Sequence, residues 1–180
     1  MSHVELIDGL DVVIAERVMK PRVDTALDML CDAARAKAPG VKVWVTMRDE
    51  RVRTSHRKTD AQAVPANLRF RLPKAGRGDG DVSLSDIGNV DLARFPRDPN
   101  LPIANRINCR CEAPTVPHLL RESIKRTPVT LTGTRVEGSV ETRFPRAAES
   151  EFGTTGDNAA YFMTNALREV ATRLQSGQSR

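Results

Sequence analysis

Apolar residues at three- and four-residue steps predict an amphipathic helix over residues 21–38. Its apolar face comprises Val23, Ala26, Leu27, Leu30, Cys31, Ala34 and Ala38. A proline opens the helix, where its missing N–H costs nothing, and Pro39-Gly40 ends it. The pattern before this helix leaves two alternatives open: a shorter helix over residues 11–19, or an earlier strand through Val4 and Leu6.

A second helix is predicted near the other end of the chain, over residues 158–174, with Asp157 as its N-cap. Its buried stripe is expected to contain Phe162, Met163, Ala166, Leu167, Val170, Ala171 and Leu174. We expect the tail, residues 176–180, to be disordered.

Short strands are predicted between the two helices. Residues 42–47 (KVWVTM) are rich in β-branched and aromatic side chains, and residues 134–144 alternate as in a half-buried antiparallel strand. Residues 129–131 are expected to pair with the latter across Thr132-Gly133, and residues 118–125 (HLLRESIK) to form a short helical piece. The segregation of these elements predicts an α+β fold, with N- and C-terminal helices packed on a small antiparallel sheet.

Residues 73–105 have no regular pattern. They are rich in Gly, Asp and Ser, and the stretch FPRDPNLP adds three prolines. A long irregular segment in a compact domain is uncommon unless it is functional or ordered by a partner. We therefore expect this loop to become ordered only against neighbouring subunits.

The net charge of +5 in 180 residues is modest, but it is concentrated in residues 48–74. The basic side chains there are Arg48, Arg51, Arg53, Arg57, Lys58, Arg69, Arg71 and Lys74. Such a segment fits DNA phosphates, an acidic protein neighbour, or a solvated face with intersubunit salt bridges. An aromatic content of 4% and the lack of a recognition-helix pattern count against specific DNA readout.

Membrane insertion and disulfide bonding are not expected. No apolar run approaches the ~20 residues that span a bilayer, and the acidic amino terminus does not resemble a signal peptide. Three cysteines are an odd number, which disfavours a disulfide framework and indicates assembly in a reducing cytoplasm.

Spaced motifs in residues 44–62 and 95–113 resemble the phage Mu F-like head morphogenesis domain. The matching residues are Trp44, Asp49, Val52, Arg53, His56, Asp98, Pro99, Asn108, Cys109, Arg110 and Cys111. Members of that family are minor head proteins, often associated with the portal. One departure is that this chain has Asp60-Ala61 where the family usually has Asp-Gly, so we expect a glycine-dependent turn there to be altered.

Motifs on either side of that region resemble the tail-component or tail-completion family of long-tailed phages. The matching residues are Ala38, Pro39, Leu120, Arg121, Ser123, Ile124, Glu151, Phe152, Gly153, Thr154, Phe162, Ala166 and Leu167. Proteins of that family usually form rings in the neck of the virion. The resemblance implies an α+β frame of residues 1–40 plus 118–180, with residues 41–117 as an inserted Mu F-like module carrying the long loop.

His56, Cys109 and Cys111 are candidate zinc ligands, since zinc favours thiolate and imidazole groups. Residues 109 and 111 of a strand point to one side, which permits joint coordination. A fourth ligand is not evident, although the sequence offers His118, Asp49 and Asp60 as candidates. No other cofactor is expected.

The alternative is a packed, hydrogen-bonded structural network that connects the strand at residue 44 to residues 108–111. Its members would be Trp44, Asp49, Arg53, His56, Asn108, Cys109, Arg110 and Cys111. The sequence carries no signature of a catalytic cysteine, so we expect no enzyme and no catalytic residue.

Together the two resemblances imply a structural virion protein of the head–tail connector, or neck, of a tailed bacteriophage. It would form an oligomeric ring that joins the DNA-filled head to the tail. Its partners would be copies of itself, other connector, portal-side and tail proteins, and non-specifically the phage DNA in transit. The expected location is the virion, after assembly in the host bacterial cytoplasm. The alternatives are a portal-associated minor head protein and a basic DNA-binding module.

Overall fold

The computed structural model describes residues 11–74, 84 and 87–177. Its elements, in chain order, are α1 (Lys20–Lys37), β1 (Val41–Val43), α2 (Thr54–Thr59), β2 (Ala63–Pro65), β3 (Phe70–Pro73), β4 (Val90–Ala93), α3 (Ile103–Arg106), β5 (Thr115–Val116), α4 (Leu119–Ser123), β6 (Ile124–Arg126), β7 (Thr130–Thr132), β8 (Arg135–Glu137), β9 (Val140–Thr142), α5 (Ala147–Phe152) and α6 (Phe162–Gln175). The fold is α+β, and the strand pairs are antiparallel. No helix of the described part is long and apolar enough to cross a membrane.

The chain divides into two compact units, and each is assembled from separate segments. The first unit comprises Met1–Ala38, Leu120–Phe144 and Tyr161–Arg180, and the second comprises Pro39–Leu119 and Pro145–Ala160. The boundaries of the inserted module expected from the sequence are at residues 40/41 and 117/118. The corresponding boundaries between the units are at residues 38/39 and 119/120. Residues 145–160, which the sequence assigned to the frame, fall in the second unit.

In the first unit, α1 packs against α6 and β6. Leu27, Cys31 and Ala34 line the buried face of α1, as the periodicity predicted. Arg35 donates two hydrogen bonds to the carbonyl of Ile124, at 3.2 and 3.0 Å, which fixes β6 against the helix. Residues 11–19 are helical and lead directly into α1, with a π-helical stretch at Ala15–Met19. Val4 and Leu6 lie outside the described residues.

The predicted single strand over residues 134–144 is wrong, because the chain changes pairing partner at Gly138-Ser139. Before this point β8 pairs with β7, and after it β9 pairs with β6. The Ser139 amide donates to the Thr127 hydroxyl at 2.7 Å, and the Thr127 amide donates to the Ser139 carbonyl at 2.8 Å. Gly138 lies so close to Leu27 that a Cβ there would be 2.3 Å from Leu27 Cδ1.

The last helix begins at Phe162 and not at residue 158, so the prediction of Asp157 as N-cap is wrong. Tyr161 holds the N-cap position in a left-handed conformation, without a side-chain cap. Asp157 instead accepts hydrogen bonds from Arg69 Nε at 2.8 Å and the Thr154 hydroxyl at 3.1 Å.

The buried stripe of α6 is narrower than predicted. Phe162, Ala166 and Val170 are buried, whereas Leu167 and Leu174 are 57% and 45% exposed and Ala171 is also exposed. The buried positions recur every four residues, as expected for a helix that packs along one seam against α1. Of the predicted disordered tail, Ser176 and Gly177 are described, and the rest lies outside the described residues.

The second unit contains a three-stranded sheet in the order β2-β1-β5 and a separate β3–β4 ladder. The strand predicted over residues 42–47 is regular only at Val41–Val43, and Val45 adds an isolated bridge to Glu112. The core of the unit comprises Trp44, Val64, Phe70, Leu72, Ala93, Leu101, Cys109 and Cys111.

Residues 73–105 are less irregular than predicted. The ladder of β3 with β4 places Phe70 opposite Ala93 and Leu72 opposite Asp91, and α3 begins at Ile103. The pairing partner of β4 is some twenty residues away in sequence, so a local pattern does not reveal it. The loop that we expect to become ordered against a neighbour includes residues 75–83 and 85–86, which lie outside the described residues.

Candidate functional site

The candidate site is a cluster of three buried side chains in the second unit. His56 comes from α2, whereas Cys109 and Cys111 come from the segment that follows α3. One ligand atom from each residue lies within 4.8 Å of the other two. The structure therefore brings these three candidate residues together.

Helix α2 presents His56 through a short, hydrogen-bonded turn. His56 and Thr59 are the buried residues of this six-residue helix, which packs on β3. The Thr59 hydroxyl donates to the Ser55 carbonyl at 2.9 Å, and Arg57 Nε donates to the Val52 carbonyl at the same distance. The helix thus turns one side to the core and holds the imidazole there.

The cysteine segment is extended, so Cys109 and Cys111 face the core while Arg110 faces outward. Val45 and Glu112 exchange two backbone hydrogen bonds of 2.9 Å, which hold this segment beside Trp44. Arg110 contacts both carboxylate oxygens of Asp49 at 2.8 Å on the exposed side. The alternation of the segment determines which of its side chains enter the site.

The orientation of the His56 ring follows from a hydrogen bond to Asn105. Nε2 of His56 lies 3.0 Å from the Asn105 carbonyl oxygen, which can only accept, so Nε2 carries the proton. In the neutral ring Nδ1 then has a free lone pair. This atom lies 3.6 Å from Cys109 Sγ and 3.3 Å from Cys111 Sγ.

The two thiols are electrostatically unequal. A hydrogen bond from Cys111 lowers the pKa of the Cys109 thiol, against the opposing effect of burial. The same thiol pairing, together with burial, raises the pKa of Cys111. The thiol pairing therefore favours negative charge on Cys109 over Cys111.

Trp44 forms one wall of the cluster. Its ring meets His56 and Phe70 edge to face, with centroid separations of 5.5 and 5.2 Å. Among the described residues the buried indole Nε1 has no hydrogen-bond partner of ordinary geometry. Its N–H group nevertheless opposes the rise in the pKa of Cys111, because it favours negative charge on that sulfur.

Asn105 is a site residue that the sequence did not reveal. Its side chain accepts a hydrogen bond from the Ser55 hydroxyl at 2.7 Å and donates to Asp91 Oδ2 at 2.8 Å and the Pro73 carbonyl at 3.2 Å. It is 0% exposed. Asparagine is usually a surface residue, so a single sequence gives no signal that this one supports the histidine.

The three candidates for a fourth metal ligand do not join the cluster. Asp49 binds Arg110, and Asp60 accepts hydrogen bonds from the Thr46 amide at 2.9 Å and from Arg48 at 2.8 Å. His118 is exposed. A cavity of about 10 Å³ adjoins the cluster, lined by Met47, Arg51, Val52, Arg53, His56, Asn108, Cys109, Arg110 and Cys111.

The other members of the predicted structural network surround the cluster. Arg53 donates to the Ile107 carbonyl, and Asn108 adopts a left-handed backbone with φ 53° next to Cys109. Asp98 lies in a separate turn, where it accepts hydrogen bonds from the amides of Arg94 and Asn100 at 2.7 and 2.9 Å.

Ala61 occupies the left-handed conformation that suits glycine, with φ 60°. Its amide donates to the Trp44 carbonyl at 2.8 Å, which joins the turn after α2 to the wall of the cluster. The turn expected to need glycine is thus built here with alanine.

The residues of the tail-completion-like motif are divided between the units. Leu120, Ser123 and Phe162 lie in the first unit, and Pro39, Glu151, Phe152, Gly153 and Thr154 lie in the second. Gly153 forms a turn with φ 79°, and Phe152 beside it is 71% exposed. The residues of the motif are therefore shared between the two units.

The basic segment is largely occupied by contacts within the second unit. Arg69 pairs with Asp157, Arg71 with Glu149 and Arg48 with Asp60, at 2.8 to 2.9 Å. Lys74 donates to the Gly88 carbonyl at 2.8 Å. These contacts give the segment a structural role.

Comparison with known proteins gave no relative, since no protein-family model, no curated protein and no solved structure matches the chain.

Proposed function

We propose that this chain is a structural protein of the head–tail connector of a tailed bacteriophage, where copies of it form a ring that joins the filled head to the tail. Its other partners would be portal-side, connector and tail proteins. The proposal rests on the two motif resemblances, which point to the same part of a virion. The main observation in its support is that residues of the Mu F-like motif lie together in one buried cluster.

That convergence joins residues far apart in sequence. Trp44 and His56 pack edge to face, and Cys109 and Cys111 reach the same histidine from 53 and 55 residues away. If these residues matched the motif only by chance, we would not expect them to lie in one core. Their packing supports the view that residues 44–111 contain a folded module of the kind the motif marks.

The course of the chain supports an insertion. It leaves the first unit after Ala38, returns at Leu120, leaves again after Phe144 and returns at Tyr161. One inserted module accounts for the first excursion, residues 39–119, and residues 145–160 form a second, shorter excursion.

The surroundings of the cluster favour a structural role over catalysis. The thiols are buried, and the adjoining cavity of about 10 Å³ is the size of one water molecule. A substrate needs a cleft some tens of times larger.

Exposed apolar side chains of the second unit support contacts with other proteins. Phe152, Ile103, Met47 and Ile107 are 71%, 64%, 59% and 53% exposed. Large apolar residues of this kind act as anchors when an interface buries them. Phe152 also belongs to the tail-completion-like motif.

A DNA-binding module receives less support. Three arginines of the basic segment are paired with carboxylates, which reduces the charge available to phosphates.

The test is negative-stain microscopy of particles made by a phage that lacks this gene, with the wild-type gene supplied on a plasmid as the control. Filled heads beside complete, unattached tails are expected. Empty or defective heads with normal free tails would replace the connector role with that of a portal-associated minor head protein. Intact, infectious virions would refute both roles.

A further inference from the structure

We infer that His56, Cys109 and Cys111 bind one Zn²⁺ ion, with a water molecule as the fourth ligand. This inference concerns the second unit alone and does not depend on the proposed virion role. It rests on the spacing of the three ligand atoms, on the tautomer of the histidine, on charge balance and on the adjoining cavity.

The spacing fits a tetrahedral zinc ion. Zn–S bonds of about 2.3 Å and Zn–N bonds of about 2.0–2.1 Å place a nitrogen and a sulfur ligand about 3.6 Å apart. The distances from His56 Nδ1 to the two sulfurs are 3.6 Å for Cys109 and 3.3 Å for Cys111. Both distances are within a few tenths of an ångström of the tetrahedral value, and the three ligand atoms all lie within 4.8 Å of one another.

The histidine is already in the tautomer that a metal needs. Its Nε2–H donates to the Asn105 carbonyl at 3.0 Å, so the Nδ1 lone pair is directed at the thiols. Metal-bound histidines typically donate their other ring N–H to a carbonyl or carboxylate in this way. Asn105 would thus be the outer-shell partner of the site.

Charge balance selects a soft divalent cation. Two thiolates and a neutral imidazole cancel the charge of Zn²⁺, so the filled site would carry no uncompensated buried charge. Thiolate ligands exclude Mg²⁺ and Ca²⁺, which prefer oxygen. The buried indole N–H of Trp44, which has no ordinary acceptor among the described residues, can donate to a metal-bound sulfur.

A water molecule would occupy the fourth coordination position of the ion. Within residues 11–74, 84 and 87–177 no fourth His, Cys, Asp or Glu joins the three ligands. The adjoining cavity of about 10 Å³ is close to the smallest space that holds a water molecule. Since it admits nothing larger, the ion would act as a cross-link between α2 and the cysteine segment.

The experiment uses the purified full-length chain, stripped with a chelator under reducing conditions and titrated with Co²⁺. One equivalent should give the ligand-field bands of tetrahedral cobalt and a thiolate-to-cobalt charge-transfer band, and Zn²⁺ should abolish both. Cys109→Ser and Cys111→Ser should each weaken cobalt binding by at least about 100-fold, the upper range for the loss of an outer-shell partner.

The matched controls are Cys31→Ser and His118→Asn. Cys31 is a buried cysteine of the first unit, and His118 is exposed, so both variants should bind cobalt as the wild type does. Equal loss in Cys31→Ser would overturn the assignment. So would the absence of stoichiometric cobalt binding by the wild type.

A second measurement covers the case in which the cysteine variants do not fold. X-ray absorption of the zinc-loaded wild type should give two sulfur and two nitrogen or oxygen neighbours. A first shell without sulfur, or one with four sulfurs, would contradict the proposed ligand set.

Discussion

Nε2 of His56 lies 3.0 Å from the carbonyl oxygen of Asn105, and both residues are buried. The contact joins α2 to α3 across 49 residues of sequence. The Asn105 side chain extends the connection to Ser55 and Asp91. One asparagine therefore sets the position of the imidazole through its backbone and that of α2 through its side chain.

Asn105→Ala should lower the free energy of unfolding of the second unit by about 2–4 kcal/mol, because it removes three hydrogen bonds and leaves one buried and two partly buried partners unsatisfied. Trp44 is the only tryptophan, so its fluorescence in urea reports on this unit. Asn158→Ala is the control, since the Asn158 side chain is exposed and the hydrogen bond to Asn67 uses its backbone carbonyl. Equal unfolding midpoints for the two variants would show that the Asn105 network is unimportant.

Ala61→Gly should stabilise the second unit by about 0.5–1 kcal/mol, because alanine is strained at φ 60° and glycine is not. Ala66→Gly is the matched control: Ala66 lies in a nearby turn, has no positive φ and should lose about 0.4–1 kcal/mol through chain entropy. Urea unfolding followed by Trp44 fluorescence distinguishes the two. Destabilisation of both variants would contradict the proposal that Ala61 is strained.

Gly153→Ala should destabilise the chain by about 2–4 kcal/mol. Gly153 has φ 79°, and a Cβ there would lie 3.0 Å from both the Asp157 oxygen and the Ala159 nitrogen, which are backbone atoms and cannot swing aside. At Gly133, with φ 62°, a Cβ would meet nothing within 4 Å, so Gly133→Ala should cost only about 1–2 kcal/mol. Far-UV circular dichroism in urea compares them, and equal losses would mean that close packing at Gly153 adds nothing.

Lys42→Met should change how stability varies between pH 8 and 10.5. Burial lowers the pKa of Lys42 from 10.5 to about 8, Asp157 opposes this shift, and Arg94 and Arg146 add to it. Between these two values the unfolded chain holds a proton that the folded chain has lost, so this lysine makes stability rise with pH. The methionine variant should lack that contribution.

The measurement for Lys42 is the difference in free energy of unfolding between the wild type and Lys42→Met, followed by Trp44 fluorescence from pH 7 to 10.5. The difference should shift in favour of the wild type as the pH rises. A difference that stays constant would mean that Lys42 titrates alike in both states. At neutral pH the ammonium donates to the Arg94 carbonyl at 2.8 Å and lies 5.0 Å from the centre of the Phe70 ring.

The sequence by itself determined the features that depend on neighbours within one or two turns. The face of α1 and its end before Pro39 follow from helical periodicity and a helix-breaking pair. The β7–β8 hairpin follows from β-branched residues on both sides of Gly133. The His56, Cys109 and Cys111 set followed from residue chemistry and a resemblance to a family motif, and the structure brings its members together.

Only the tertiary structure decided the features that depend on partners distant in sequence. The change of pairing at Ser139, the β3–β4 ladder and the late start of α6 each follow from contacts that a local pattern does not contain. Asn105 is a further example, because its side chain is buried only when α2, β4 and the end of β3 surround it. A periodic pattern reports which side of an element is apolar, whereas the free energy of pairing depends on which other element covers that side.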